Sequence, residues 1–224
     1  VIATTVGRGL TGDVAAFDSI PKYPLGSPTE YPLYIILGLV TGLAAAGFIK
    51  LLNWVETNIE KIDIIPIPFR TCLGGLCVGV IALSFPHVLG NGFGVTSDLI
   101  SLDYDEGGNM NLGNSFLGID MASGITSLLI FVISIMLLKI IATSVSIGSG
   151  GSGGIFTPSL FIGAALGAAL GLVLNDMGMV DHPGAFALVG MAAFVASTTR
   201  ATLTAIVLLF EMTATYEIIL PLML

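Results

Sequence analysis

Apolar and polar positions divide the chain into long apolar runs separated by short polar or glycine- and proline-rich connectors. Six runs are predicted to be helices: residues 33–52, 71–89, 122–147, 155–174, 184–197 and 202–212. Run 122–147 would be about 39 Å long as a helix, enough to cross a bilayer with tilt. Run 184–197 would be about 21 Å, which is short of a hydrocarbon core of roughly 30 Å. We therefore predict an all-α, polytopic membrane protein with short, tilted, partly re-entrant helices.

Apolar character also reaches both ends of the chain. Residues 1–10 have the pattern of a helix remnant, and residues 218–224 stop inside another apolar run. We therefore expect an excerpt of a longer protein, truncated at both ends. Between the runs, a short helix is expected at 95–102 and an exposed acidic loop at 103–114.

Composition supports a membrane location. Of 224 residues, 54% are hydrophobic and 10% are charged, whereas soluble domains carry about 25% charged residues. The net charge of −8, without any basic cluster, argues against nucleic acid as a partner. Cys72 and Cys77 lie five residues apart in one apolar run, a spacing that does not put them on one helical face, so a disulfide is not expected. With no histidine nearby a metal site is not expected either, and no cofactor is indicated.

Two single charges lie within apolar runs. Lys139 is near one end of run 122–147, so its stem is expected to snorkel and bring the ammonium group to the membrane interface. Glu211 is flanked by apolar residues on both sides. We expect a structural role for it, either capping backbone groups or pairing with Arg200.

The candidate site is the glycine–serine segment that separates runs 122–147 and 155–174. Its small side chains leave peptide groups open to a ligand. A helix that begins here leaves the backbone N–H groups of Gly154, Ile155 and Phe156 unpaired at the positive end of its dipole. Such an end binds anions, and in a membrane it holds a negative substrate without a buried full positive charge.

The string Gly-Ser-Gly-Gly-Ser-Gly-Gly-Ile-Phe-Thr-Pro at 148–158 resembles the GxFxP signature region of the CLC chloride channels and chloride/proton antiporters. Lys-Ile-Ile-Ala-Thr at 139–143 and the segment 200–213 extend the resemblance, although Thr202 stands where the family pattern has proline. The resemblance implies that residues 1–224 are the C-terminal half of a single CLC-type transmembrane domain. That half would be one repeat of an inverted-repeat transporter fold.

The same resemblance implies a function. We expect chloride transport across the cell membrane, by a voltage-gated-type channel or a chloride/proton antiporter, with the anion on the amides of Gly154, Ile155 and Phe156. The expected partners are the lipid bilayer, the missing N-terminal half of the same protein and a second copy in a homodimer. The candidate dimer contacts are apolar residues near the end of the chain: Ile206, Leu209, Ile219 and Leu220.

An intramembrane serine protease is the alternative function. Residues 150–153 satisfy a Gly-x-Ser-Gly pattern, so Ser152 could be a nucleophile with His182 as its base. This pattern is common by chance in any glycine–serine run, and His182 lies in a loop beside Asp181 and Pro183. We therefore favour a transporter over an enzyme.

Overall fold

The computed structural model describes residues 30–61, 66–104, 110–111 and 124–213. Within these ranges the backbone is almost entirely helical. The helices are α1 Tyr31–Glu60, α2 Ile67–Ser84, α3 Phe93–Ile100, α4 Gly124–Gly148, α5 Phe156–Asp176, α6 Pro183–Thr199 and α7 Thr202–Thr213, with a 3₁₀ turn at Pro86–Val88. The prediction of a helical membrane fold is confirmed, while the expected segments 1–10 and 218–224 lie outside the described residues.

Helix length divides these elements into two groups. Among the described residues, α1, α4 and α5 are long and apolar enough to cross a membrane. With 17 and 12 residues, α6 and α7 would be about 26 Å and about 18 Å long, shorter than the hydrocarbon core. The predicted mixture of long and short helices is therefore present.

Three predicted helix ends differ from the structure by more than two residues: the end of run 33–52 and both ends of run 71–89, which is α2, Ile67–Ser84. Helix α1 continues past residue 52 to Glu60, and within this extension the Asn58 side-chain amide donates to the carbonyl oxygen of Trp54 at 2.7 Å. Helix α2 begins at Ile67, before the predicted start at residue 71. The proline in its first turn is tolerated because the N–H that it lacks would have no intrahelical partner there. Hydropathy marks where a helix leaves the apolar layer, not where its backbone hydrogen bonds end.

The expected acidic loop contains a short antiparallel ladder. Strand β1, Asp103–Tyr104, pairs with β2, Met110–Asn111, with Asp103 opposite Asn111. Segments of two residues are too short for a pattern of alternating side chains, so the sequence offered no signal for them.

The core is centred on a close contact between α5 and α6. On α5, Gly163, Gly167 and Gly171 recur every four residues and therefore lie on one face. A Cβ atom at Gly167 would meet the backbone of Phe186 and lie 2.9 Å from the Cα of Ala187. Small residues let the two backbones approach closely, which is how helices commonly pack in membranes.

Aromatic contacts attach α1 to this pair. Tyr34 stacks on Phe186 with ring centroids 4.5 Å apart, and Phe48 lies 6.0 Å from Phe194. Phe186 and Phe194 are fully buried. Helix α6 is therefore held between α1 on one side and the glycine face of α5 on the other.

The glycine contact leads to a stability prediction. Gly167→Ala should destabilise the protein by about 1–3 kcal/mol or more, because its methyl group would meet backbone that cannot rotate away. Gly47→Ala on α1 is the matched control, since its Cβ would meet nothing within 4 Å and alanine favours a helix over glycine by about 1 kcal/mol. Thermal unfolding of the full-length protein in detergent measures both; equal effects would contradict the close contact.

Candidate anion-binding site

The first part of the loop between α4 and α5 is closed by its own backbone. The amides of residues 149–151 each donate to a carbonyl oxygen in the last turn of α4, at 2.9–3.0 Å. Gly150 has a φ of +88°, a left-handed conformation that favours glycine. These bonds satisfy the carbonyl groups that the end of a helix leaves unpaired.

Helices α1 and α2 hold this part of the loop from outside. The Thr71 hydroxyl on α2 donates to the Ser149 carbonyl oxygen at 3.0 Å. A Cβ atom at Gly74 would collide with the Ser149 side chain, and one at Gly148 would lie 3.2 Å from the backbone nitrogen of Glu56 on α1. Both glycines therefore permit a close approach that other residues would block.

The second part of the loop is open. Residues 152–155 are exposed, and a Cβ atom at Gly154 would meet nothing within 4 Å. Helix α5 begins at Phe156, and its first turn closes where the Ser159 amide donates to the Ile155 carbonyl at 3.0 Å. Within the described residues, no acceptor takes the amide N–H of Gly154, Ile155 or Phe156.

A groove of about 330 Å³ lies beside these amides. Gly153 and Gly154 form part of its wall, together with residues of α2, α4 and the turn after the 3₁₀ helix. Its polar lining groups come from Asn91, Lys139, Thr143, Ser146 and Thr157. The groove therefore offers hydroxyl and amide donors and one cationic side chain to a small anion.

The expectation that Lys139 snorkels to the interface is wrong. Lys139 is 4% exposed, and its ammonium group donates to the carbonyl oxygens of Val88 and Gly90, both at 2.8 Å. It also lies 5.3 Å from the centroid of the Phe161 ring, within the range of a cation–π contact. The turn at 88–90 presents carbonyl groups that no helix pairs, and these hold the ammonium group inside the protein.

The alternative catalytic pair is not brought together. Ser152 precedes the start of α5, whereas His182 follows its end and caps α6. A helix of 21 residues separates the two by about 31 Å along its axis. A nucleophile and its base need hydrogen-bond contact or a close approach to it, so this geometry does not support a protease.

Glu211 does not have the expected partner. It is exposed on α7, and it forms no ion pair with Arg200, although the structure describes both residues. Arg200 follows the end of α6 in a left-handed conformation, with a φ of 55°.

The candidate dimer contacts are only partly visible. Ile206 on α7 lines a second groove, of about 690 Å³, between α1, α6 and α7. Leu209 is 2% exposed and packs into the core, so it offers no surface to another subunit. Ile219 and Leu220 lie outside the described residues. Leu203 and Val207, at 77% and 61% exposed, form the outward face of α7 instead.

Two residues that contact the loop, and one buried carboxylate on α3, were not predicted. Thr71 and Gly74 act on a loop residue 78 positions from Thr71, and no local pattern reveals such a partner. Asp98 on α3 is 7% exposed. Its only signal in the sequence is a carboxylate within a short apolar segment.

Fold and site together define a polytopic helical membrane protein with an open helix start beside a polar groove, and transporters use helix starts of this kind to hold small ions. The family model described as "Voltage gated chloride channel" matches residues 1–224. The chain therefore belongs to the voltage-gated chloride channel family, and the resemblance to CLC proteins is confirmed.

Individual relatives agree with this assignment. The chain is 38% identical to chloride channel protein CLC-f of Arabidopsis thaliana, with 100% of the chain and 28% of that relative covered. It is 34% identical to a putative ClcB-like chloride channel protein of Ralstonia nicotianae, covering 100% of the chain and 47% of the relative. The crystal structure of a slow cyanobacterial Cl-/H+ antiporter matches with a TM-score of 0.67 and 26% identity, over 99% of this chain and 47% of that one. The chain thus spans less than half the length of these proteins.

The contact between α2 and the loop leads to a second prediction. Gly74→Ala should weaken both folding and anion binding, because the added methyl group would displace Ser149 and with it the loop. Gly75→Ala is the matched control, since its Cβ would meet nothing within 4 Å. Thermal unfolding in detergent and anion binding by calorimetry, measured on the full-length protein, compare the two. If Gly74→Ala matches the control in both thermal unfolding and anion binding, the contact between α2 and Ser149 does not support the loop.

Proposed function

We propose that this chain is the C-terminal half of a transmembrane domain that transports chloride across the cell membrane. The observation that carries the proposal is the open start of α5, where three backbone amides without acceptors in the described structure lie beside a polar groove. The description of the family and the names of the relatives point to chloride as the ion. An anion site of this kind would serve a channel or an antiporter, since either has to hold the ion as it crosses the membrane.

The physical basis is replacement of water by fixed donors. Dehydration of a halide is expensive, so the site has to provide hydrogen bonds and positive potential in return. Amides at a helix start provide both, since the helix dipole adds to the partial charges of the N–H groups. The Lys139 ammonium on the groove wall adds a further positive charge. Such a site selects by charge and size.

One helix start supplies donors from one side of the ion only. The relatives are more than twice as long as this chain, and we propose that an N-terminal half of the same protein supplies the opposite side. An open groove of unpaired backbone groups facing lipid is strongly disfavoured, which supports the need for such a partner. We propose a transporter rather than an enzyme, because the relatives are named as chloride channels and as a Cl-/H+ antiporter.

Blocking the amides tests the proposal. Gly154→Val should reduce chloride efflux from liposomes by about tenfold or more, since losing a hydrogen bond to a charged group costs about 1.5–3 kcal/mol. Because a Cβ atom at Gly154 meets nothing within 4 Å, the protein should still fold. Gly79→Val on α2 is the control: its position is equally open but lies outside the groove.

Occupancy of the site is measured independently. Bromide soaked into crystals of the full-length protein should give anomalous density about 3.3 Å from the Ile155 and Phe156 nitrogen atoms, slightly beyond the usual oxygen distance. An empty helix start at high bromide concentration, or efflux unchanged by Gly154→Val, would contradict the proposal.

We further propose that the protein is a homodimer in which α7 faces the second copy. The outward side chains of Leu203 and Val207 are apolar and exposed, and Ile206 lies beside them. Contact with a second copy would bury this face. From the sequence, Ile219 and Leu220 are expected to extend the same contact.

Tryptophan substitutions test the interface. Ile206→Trp and Ile219→Trp should yield monomers in detergent by light scattering, because bulky rings disrupt a packed apolar contact. The groove beside Ile206 has room for part of the ring, so the fold of each subunit should survive. Leu83→Trp, at an 87% exposed position on α2, is the control and should remain a dimer. A dimer in all three proteins would remove α7 from the interface.

A further inference from the structure

Asp98 is a buried carboxyl group that the anion site does not use. It lies on α3 and is 7% exposed, and its Oδ2 atom is buried without a hydrogen-bond partner among the described residues. The Ser101 hydroxyl nearby donates to the backbone carbonyl oxygen of Asp98, not to the carboxyl group. A buried charge that lacks a partner is costly, so this environment favours the neutral form of the carboxyl group.

Among the described residues, the charged groups on the helices that pack against α3 do not form an ion pair with Asp98. Helices α5 and α6 pack against α3, and their titratable residues are Asp176, at the far end of α5, and the residues that cap α6, His182 and Arg200. In the described structure none of these forms an ion pair with Asp98.

Two basic side chains, Lys139 and His87, lie on the side of the 3₁₀ turn. The Lys139 ammonium is committed to the carbonyl oxygens of Val88 and Gly90. His87 packs edge-on against Phe131, with ring centroids 5.5 Å apart, and its charge is the one that acts on Asp98. The Oδ2 atom of Asp98 nevertheless has no hydrogen-bond partner among the described residues.

The protonation equilibrium follows from this environment. Burial raises the pKa of Asp98 from its ordinary value of 3.8 to about 6, and the His87 charge opposes only part of that effect. A shift of this size means that the folded protein binds the proton roughly a hundredfold more tightly than the unfolded chain does.

We propose that Asp98 is a proton-binding residue whose ionisation is coupled to the groove beside the start of α5. Below its titration range the proton stays on the carboxyl group. Above it, the proton leaves for solvent and a carboxylate remains between α3 and its neighbours. Proton binding stands on the buried, unpartnered oxygen alone, whereas the coupling rests on the proposed anion-transport function.

A chain of contacts links Asp98 to the groove. Helix α3 starts after Gly92, whose φ is +73° and whose Cβ, if present, would lie 2.5 Å from the Phe161 ring. The same ring lies beneath the Lys139 ammonium. Lys139 in turn holds the turn at 88–90, which forms part of the groove wall. A carboxylate at Asp98 needs water or a closer cation, and any shift of α3 that admits one moves these contacts.

Proton binding is tested on the full-length protein in detergent. The folded pKa is raised, so the stabilising contribution of the proton is present below about pH 4 and is lost as the pH rises through about 6. The melting temperature should therefore fall over this range in the wild type. Asp98→Asn, which keeps the shape and removes the charge, should lack this fall and should be the more stable protein at about pH 8.

Asp176→Asn is the matched control, because Asp176 is exposed and lies at the far end of α5; its profile should parallel that of the wild type. Infrared difference spectra between about pH 5 and about pH 8 provide a direct readout. The wild type and Asp176→Asn should lose a carboxylic acid carbonyl band that Asp98→Asn does not contain. Parallel melting profiles and identical spectra in all three proteins would overturn proton binding.

The coupling is tested by chloride efflux from liposomes at the same two pH values. If ionisation of Asp98 affects efflux, the ratio of the rates at the two pH values should be at least about twice as large for the wild type as for Asp98→Asn. A titrating Asp98 with equal pH dependence of efflux in both proteins would overturn the coupling and leave proton binding intact. Absence of chloride efflux from the wild type would overturn the transport function and the coupling, and the infrared result would still decide proton binding.

Discussion

Backbone groups cannot stay unpaired at membrane depth, and this constraint determines how the chain passes from α4 to α5. The break between two apolar helices creates free carbonyl groups on one side and free amides on the other. Residues 149–151 fold back to satisfy the carbonyl side, and Thr71 contributes a hydroxyl from another helix. The amides at the start of α5 receive no such partner within the described structure, so the free donors are concentrated at one exposed point.

The same constraint explains the buried lysine. The turn at 88–90 ends its short helix within the protein, and Lys139 supplies donors for two of its carbonyl groups. Among the described residues, its ammonium group is held by carbonyl dipoles and by the Phe161 ring and not by a carboxylate. A cation stabilised in this way keeps its positive potential on the groove wall, where an ion pair would have cancelled most of it.

Features that depend on neighbouring residues could be predicted from the sequence, and features that depend on residues far along the chain could not. Hydropathy indicated every apolar helix, and the glycine–serine motif indicated the start of α5, because both signals are local. The position of Lys139 was predicted wrongly because its partners lie about 50 residues away, at Val88 and Gly90. The contacts of Thr71 and Gly74 with Ser149, and the burial of Asp98, were not predicted for the same reason. Leu209 was assigned to a surface from its apolar character, which cannot distinguish a contact inside the chain from one between chains.

Rigidity connects the core of the fold to the site. Donors bind an ion well only if they already point at it, because ordering them on binding would consume part of the affinity. The glycine face of α5 lets it approach α6 closely enough that the helix cannot tilt without a backbone collision. Gly148 and Gly74 achieve the same for the closed part of the loop. Glycine therefore has two opposite roles along this chain: in α5, α2 and at the end of α4 it permits contacts that fix the backbone, and at Gly154 it keeps the approach to the amides free.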